Sequence, residues 1–305
     1  MSAAGVRAGA AAGAAAGESA SGASGERIGL IAGNGRFPLL FAREARARGL
    51  SITAVAHRGE TDEAVEGEVD ELTWVRVGQL GKLIRTLKHA GVKRAVMAGG
   101  IDKARSLTQI RPDLRGMLFL RRAISAGGHG DDSLLRSLAA ELEGEGISIV
   151  PSTIFLENLL APPGRLAGPK PSSQALSDIR TGCRVLAALG TADVGQSVVV
   201  EHGVVLAVEA VEGTDEAVRR AGRLGRGSGV VVKTAKQGQD MRFDVPAVGP
   251  TTIATMVEAR ACVLAVEAGS TLLLDRTHLV DAATRAGITV VGCTHSGAVA
   301  GFSDD

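Results

Sequence analysis

The sequence predicts an α/β protein of two domains, each built on an open sheet. The chain has 305 residues, 45% of them apolar, which is enough for two ordinary domains with their own cores. Short apolar runs alternate with helical stretches of about ten to fifteen residues, a pattern typical of parallel strands joined by right-handed crossovers. A segment rich in Pro and Gly, residues 151–173, divides this alternation into two halves.

Residues 1–26 are predicted to lie outside the first domain, because residues 1–25 are almost wholly Ala, Gly and Ser. They lack the Leu/Val-rich central run that a secretory signal needs. We therefore expect a disordered extension there and begin the first domain at residue 27.

The first domain is predicted to span residues 27–150 and to hold a parallel sheet. Glycines 49 and 91 end the first two helices. Predicted strands cover residues 28–32, 51–56, 72–77, 94–98 and 147–150, and predicted helices cover 38–48, 80–90, 113–126 and 131–142.

The second α/β domain is predicted to span residues 174–292, followed by a tail at 293–305. His202 and Gly203 separate two Val-rich runs and indicate a hairpin turn. Predicted strands cover residues 197–201, 204–208, 229–233, 262–266 and 288–291, and predicted helices cover 174–189, 214–220, 251–259 and 278–286.

Composition excludes several classes of function. Lys plus Arg (34) against Asp plus Glu (33) leaves a net charge of +1, and the chain has no Tyr and one Trp. A broad basic face or an aromatic platform for nucleic acid is therefore not expected. Three Cys without a C-x-x-C pair favour a reducing cytoplasm, and no apolar run approaches the roughly 20 residues of a membrane span.

Gly33, Asn34 and Gly35 follow the first predicted strand, where a dinucleotide-binding fold has its glycine fingerprint. Pro38 replaces the third glycine, and Arg58 stands near the position of the expected acidic residue. The pattern therefore favours a turn that receives another phosphate or a sugar over a nicotinamide site, with a purely structural turn as the remaining interpretation.

A second glycine turn, Gly99–Gly100, follows the strand at 94–98 and is expected at the same sheet edge. The two turns could form one crevice. Asp131 and Asp132 begin a predicted helix; one carboxylate suffices as an N-cap, so the other is a candidate to face a ligand or cation.

The densest polar cluster lies between Lys233 and Thr252. Two carboxylates, an arginine, lysines and a Thr pair at a helix start suit a phosphate ester held with a hard divalent cation. If residues 240–244 are extended, Asp240, Arg242 and Asp244 point to one side. A solvated charged loop is the alternative, but Pro246 and Gly249–Pro250 favour a fixed one.

Upstream, Glu209 and Glu212 lie at the end of a predicted strand. Thr214 and Asp215 already account for the capping of the next helix, so the two glutamates are not needed for it. These two glutamates are second-rank candidates for a cation or a ribose. Neither a zinc motif nor a G-x-S-x-G elbow occurs in the sequence.

Residues 111–122 place a bulky apolar quartet, residues 117–120, between four arginines. One hypothesis is a helix at a bilayer surface with guanidinium groups at lipid phosphates. The favoured alternative is an amphipathic helix packed on the sheet.

Five of these segments together resemble one known family. They are residues 28–38, the Gly99–Gly100 turn, Gly130–Asp131–Asp132, residues 212–215 and the run from Lys233 to Ile253. The family is the two-domain α/β class of UDP-2,3-diacylglucosamine diphosphatases of lipid A biosynthesis, distinct from the metallophosphoesterase class. The similarity spans residues 27 to 292, and the last segment is the most specific in residue type and spacing.

The resemblance implies a Rossmann-like first domain, a second α/β domain peculiar to the family, and substrate bound in the cleft between them. It implies Mg²⁺ or Mn²⁺ and attack of water at the α-phosphorus, giving UMP and 2,3-diacylglucosamine 1-phosphate (lipid X). The family's essential acidic residue maps onto Asp240. Asp244 is our candidate for a second metal ligand, with Glu209, Glu212 and Asp131 as the alternatives. Lys233 and Arg242 are expected at phosphate oxygens.

The remaining candidates for substrate contact come from the same motifs. They are Gly33, Asn34, Gly35, Gly99, Gly100, Asp131, Asp132, Gly213, Thr214, Gln239, Thr251 and Thr252.

Two other functions stay open on the residues alone, an NAD(P)-dependent oxidoreductase and a nonenzymatic protein that binds a nucleotide sugar or lipid. Peripheral contact with the cytoplasmic face of the inner membrane and a homodimer are further expectations.

Overall fold

The computed structural model describes residues 26–101, 110–125, 131–190, 192, 194–236, 240–242 and 245–302. Two separate α/β units organise these residues, each with a sheet that carries helices on both faces. The predicted fold class is confirmed.

The first sheet is parallel throughout and has the order β3-β2-β1-β4-β5 among the described residues. Its central strand is buried from Ile28 to Ala32, which explains the uninterrupted apolar run in the sequence. The strands are β1 (Arg27–Ala32), β2 (Ser51–His57), β3 (Glu71–Val75), β4 (Arg94–Ala98) and β5 (Ser148–Ile149).

Helices cover both faces of this sheet. The first buries Phe41 and Ala45 against one face, and Leu87 of the second and Leu142 of the fourth cover the other. The helices are α1 (Phe37–Ala47), α2 (Leu80–His89), α3 (Leu114–Ser125) and α4 (Asp131–Glu143), and a 3₁₀ helix covers Glu63–Glu68.

The second sheet has the order β6-β13-β11-β9-β7-β8 among the described residues. Its centre is parallel, and antiparallel pairs add β6 on one side and the hairpin β7–β8 on the other. The strands are β6 (Gly164–Ala167), β7 (Ser197–Glu201), β8 (Val204–Val208), β9 (Val230–Lys233), β11 (Val263–Glu267) and β13 (Thr289–Cys293).

One helix packs on one face of this sheet and three pack on the other. They are α5 (Ser173–Gly190) on the first face, and α6 (Thr214–Leu224), α7 (Pro250–Glu258) and α8 (Arg276–Ala286) on the second.

Three strands were not predicted. Residues 151–173, expected to link the domains, contain a 3₁₀ helix at Glu157–Leu159 and strand β6. A separate parallel pair joins β10 (Ala247–Val248) to β12 (Leu272–Leu273). Strands this short carry no periodic signal, because their pairing depends on distant residues.

The two units share apolar contacts. Leu272 of β12 is fully buried in the cluster that holds Leu30 and Phe41 of the first domain, and Phe155 and Leu156 of the connecting segment lie in the same cluster. The short pair β10–β12 is therefore seated on the first domain. No helix of the described ranges is both long and apolar enough to cross a bilayer.

Candidate functional site

The strand order of the first sheet reverses between β1 and β4, which pair side by side. Ligands of open α/β sheets bind outside the carboxyl ends of the strands at such a reversal. Gly33–Gly35 follow β1 and Gly99–Gly100 follow β4, so both predicted glycine turns lie at this position.

The two glycine turns contact each other directly. The amide of Gly33 donates to Ala98 O at 2.8 Å, and that of Asn34 donates to Gly100 O at 2.7 Å. The Gly100 amide donates to Asn34 Oδ1 at 3.2 Å. A Cβ on Gly33 would overlap the Gly100 carbonyl, so glycine is required for this approach. In this arrangement the amides of Gly33, Asn34 and Gly100 all donate to acceptors within the protein.

Lys233, Thr214 and Gly213 meet in the second domain. Lys233 ends β9 and is only 6% exposed. Its Nζ donates to Thr214 Oγ1 at 2.9 Å, and Ser197 Oγ lies 3.2 Å from the same hydroxyl. Thr214 begins α6 and Gly213 precedes it with φ of 83°. A buried ammonium beside a helix N-terminus creates a positive environment that attracts anions.

Glu209 is joined to Ser197 of this group through the backbone. The Glu209 amide donates to Ser197 O at 2.9 Å, which places Glu209 at the end of β8 beside β7. One of its carboxylate oxygens is buried without a hydrogen-bond partner among the described residues. Glu212, in contrast, accepts a hydrogen bond from Arg220 Nη2 at 2.5 Å.

Asp240 and Arg242 form a salt bridge with several hydrogen bonds. The Arg242 side chain donates from Nε to both Asp240 oxygens at 3.0 and 3.1 Å, and from Nη2 to Oδ2 at 2.8 Å. The Arg242 amide also donates to Asp240 Oδ1 at 3.1 Å. Residues 241–242 are a turn. The condition of an extended backbone is therefore not met at residues 241–242, where the side chain of Asp240 caps the turn, and residues 243–244 lie outside the described residues.

This pair fixes the charge of Asp240. Hydrogen bonds from the Arg242 guanidinium lower the pKa of the Asp240 carboxyl below its usual value, outweighing partial burial, which raises it. The carboxylate is ionised at neutral pH and is a weak proton acceptor. Such a group suits contact with a cation or orientation of a water molecule better than general base catalysis.

The Asp240 turn lies against the first domain. Arg242 Nη1 donates to Glu143 Oε1 of α4 at 2.9 Å, and Arg242 O accepts at 3.2 Å from the amide of Ser152, just after the first domain. Arg136, also on α4, lowers the pKa of Asp240 through its charge. Asp240 is thus at the junction of the two domains.

Asp131 and Asp132 form the start of α4, as predicted. Arg136 follows Asp131 by five residues, about 7.5 Å along a helix axis. The side chains of Asp131 and Asp132, and all of Gln239 and Asp244, lie outside the described residues.

The predicted Thr pair also lies at a helix start. Thr252 Oγ1 accepts from the Gly249 amide at 3.5 Å in a capping box that begins α7, and Thr251 is exposed.

The Leu274 amide donates to Val248 O at 2.8 Å, so Asp275 comes next to the start of α7. Arg36 of the first glycine turn lies 3.5 Å from Asp275. This ion pair connects the first domain with the region of α7.

Sequence reasoning missed four features of the site, namely Glu143, Arg136, Ser152 and the Arg36–Asp275 pair. A signal existed for two of them, because Arg136 and Glu143 are seven residues apart and so share one face of α4. The contacts themselves depend on how the domains meet.

The candidate metal ligands that the structure describes are dispersed. Among the described residues, no group of three His, Cys, Asp or Glu is close enough to hold one ion. Mg²⁺ nevertheless binds commonly through one or two carboxylates, water and substrate phosphates. The ionised Asp240 side chain is compatible with that mode.

Fold and site together define a two-domain α/β protein with basic and acidic side chains at a domain junction, a class suited to phosphorylated ligands. Models of the LpxI N-terminal domain and the LpxI C-terminal domain match residues 27–159 and 162–291. The chain therefore belongs to the LpxI family.

A curated relative supports the same assignment. The chain is 33% identical over 274 residues to the UDP-2,3-diacylglucosamine pyrophosphatase LpxI of Caulobacter vibrioides. The alignment covers 87% of this chain and 97% of the relative, so both domains are shared.

Proposed function

We propose that this protein hydrolyses UDP-2,3-diacylglucosamine at the α-phosphate, giving UMP and 2,3-diacylglucosamine 1-phosphate in lipid A biosynthesis. The observation that carries the proposal is the 33% identity to a pyrophosphatase of that specificity across 97% of its length. The Asp240–Arg242 turn at the domain junction supports it. Hydrolysis of a diphosphate accumulates negative charge on the phosphoryl oxygens, and cationic side chains stabilise that charge.

In the reaction, water oxygen bonds to the α-phosphorus, and the bond from the α-phosphorus to the bridging oxygen breaks. The bridging oxygen leaves on the sugar phosphate, and the proton lost by water goes to solvent. Charge accumulates on the phosphoryl oxygens, so positioning and electrostatic stabilisation supply most of the catalysis.

Lys233 and Arg242 are assigned to these oxygens. Lys233 is buried and held by Thr214 at 2.9 Å, so its ammonium is fixed in place. Arg242 presents a planar guanidinium suited to two phosphate oxygens, and Asp240 and Glu143 orient it. Asp240 remains ionised and orients water or a cation.

Mg²⁺ or Mn²⁺ is proposed as the cofactor, held by Asp240 with Asp244 as second ligand. When bound, the ion neutralises phosphate charge. The buried Glu209 carboxylate oxygen without a hydrogen-bond partner is a further oxygen ligand of the kind that such an ion binds. We place the reaction at the cytoplasmic face of the inner membrane, where a diacylated substrate resides.

Asp240→Asn tests this assignment, since it keeps the side-chain volume and removes the charge. UMP release from UDP-2,3-diacylglucosamine dispersed in detergent should fall at least about a hundredfold. Wild-type activity should disappear with EDTA and return with Mg²⁺ or Mn²⁺.

Asp281→Asn is the matched control, because Asp281 is an exposed aspartate on α8. It should retain wild-type turnover. Unchanged circular dichroism of both variants establishes that they fold. Wild-type rates from a folded Asp240→Asn enzyme would overturn the role of Asp240, and absence of UMP from the wild type would overturn the function.

A further inference from the structure

Helix α3 turns bulky apolar side chains toward solvent. Leu114, Met117 and Leu118 are 71%, 50% and 51% exposed. Their spacing of three and four residues places them on one face of the helix. An exposed cluster of this kind on a helix marks an interaction surface, whereas single exposed apolar residues need no explanation.

The opposite face of α3 already makes its folding contacts. Gly116 is buried against Gly78, where an added Cβ would overlap the Gly78 carbonyl, and Ala123 is 7% exposed. Arg115 Nη2 anchors the helix to Glu141 at 2.8 Å. The amphipathic packing that the sequence favoured accounts for this inner face only. The outer apolar face remains at least half exposed at Leu114, Met117 and Leu118.

Arginines surround the outer face. Arg121 is exposed and follows Met117 and Leu118 by four and three residues, so it lies on the same face. Arg122 beside it has a side chain 66% exposed, and Arg111 is exposed just before the helix. Apolar residues bordered by guanidinium groups are typical of helices that lie in the interface of an anionic bilayer.

We propose that this outer face of α3 docks the protein on an anionic lipid bilayer. Leu114, Met117 and Leu118 enter the boundary between headgroups and acyl chains, and the arginines contact lipid phosphates. The inference deepens the proposed function and rests on it in one respect, since a diacylated substrate has to be taken from a bilayer.

A second copy of the chain fits this face less well. A two-fold axis through the patch would bring the same arginines together, which is repulsive. Three apolar side chains are also few against the roughly 20–30 residues that each partner contributes to a stable interface. Charge and size therefore favour lipid.

Sedimentation with vesicles tests the docking in the absence of substrate. The wild type should bind vesicles of phosphatidylethanolamine and phosphatidylglycerol more tightly than phosphatidylcholine alone, and added salt should weaken the binding. Met117→Ser with Leu118→Ser should reduce binding at least about tenfold. Arg121→Gln should reduce it about fivefold.

Leu224→Ser is the matched control, because Leu224 is an exposed leucine, 63% exposed, on α6 of the other domain. It should bind vesicles like the wild type. Leu114→Gln provides a second outer-face variant if the double variant fails to fold. All variants should keep the wild-type thermal transition, since each altered side chain is exposed.

Turnover separates this proposal from the proposed function. The outer-face variants should release UMP normally from detergent-dispersed substrate and slowly from substrate embedded in vesicles. Failure of the wild type to bind anionic vesicles, or wild-type binding by folded outer-face variants, overturns the docking while leaving hydrolysis intact. A dimer that the same substitutions dissociate also overturns it. Absence of UMP from dispersed substrate overturns the function instead.

Discussion

At the scale of single residues, Glu201 shows how one buried carboxylate organises a turn. Its two oxygens accept three hydrogen bonds, from the Arg226 amide, the Ser228 amide and the Ser228 hydroxyl, each at 2.7 Å. The residue is 6% exposed. Burial raises the pKa of the Glu201 carboxyl, but the hydrogen bonds from Ser228 and Arg226 outweigh it, so the pKa lies below its usual value.

Glu201→Gln should lower the free energy of unfolding by about 2 kcal/mol near neutral pH, because an amide cannot accept all three bonds. The folded-state pKa is lowered, so the contribution of the carboxylate is present above the usual pKa and is lost as the pH falls through the folded value. The difference between wild type and variant should therefore shrink between about pH 7 and about pH 3. Urea unfolding at both pH values measures it, and an equal difference at both would contradict the charge-based account.

At the scale of elements, α5 approaches the second sheet through a glycine. A Cβ on Gly182 would lie 2.5 Å from Val232 Cγ2 and 2.9 Å from Val232 Cβ. Val232 is fully buried in β9, so it has little room to move. The helix keeps a glycine in its interior because contact with the sheet outweighs helix propensity.

Gly182→Ala should destabilise the protein by about 1 kcal/mol. Helix propensity contributes a gain of about 1 kcal/mol, and overpacking against Val232 costs about 2 kcal/mol. In a Val232→Ala background the overlap disappears, and the same substitution should become neutral or stabilising. Denaturant unfolding of the four proteins in this cycle measures the coupling, and additive effects would rule out the steric explanation.

The sequence predicted elements well where they were long. The start of α2 and the whole of β4 match the predicted bounds, while α6 continues to Leu224, beyond the predicted end at residue 220. Periodic burial gives long elements a local signal. Strand β6 and the β10–β12 pair have two to four residues each, and only distant partners create them.

At the scale of the whole molecule, the candidate site depends on contacts between the two domains. Residue types and the family resemblance pointed to Asp240 as a ligand of metal or water and to Arg242 as a partner of phosphate, but not to the contact between the two side chains. Their orientation depends on Glu143, which is 99 positions from Arg242 in the chain. No local pattern can report a contact of that separation. The sequence could therefore predict the groups of the site, and the domain packing determines how they are aimed.

Glu143→Gln isolates this contact between domains. The Glu143 and Arg242 side chains are 43% and 35% exposed, so the ion pair is screened by solvent and its loss should change the free energy of unfolding by less than about 1 kcal/mol. Turnover should suffer more, because Arg242 loses the partner that orients the guanidinium it offers to phosphate. We expect kcat to fall about fivefold with KM nearly unchanged.

Glu141→Gln provides the control on the same helix. Glu141 pairs with Arg115 at 2.8 Å inside the first domain and has a side chain 15% exposed, so this variant should lose more stability than Glu143→Gln. It should nevertheless keep the wild-type kcat on detergent-dispersed substrate, because in the described part of the chain Glu141 bonds to Arg115 and Arg122 of α3 and not to residues 240–242. Glu141→Gln would then lose more stability, and Glu143→Gln would lose more turnover. If kcat instead follows stability, Glu143 contributes only to folding, and the orientation of Arg242 does not depend on the first domain.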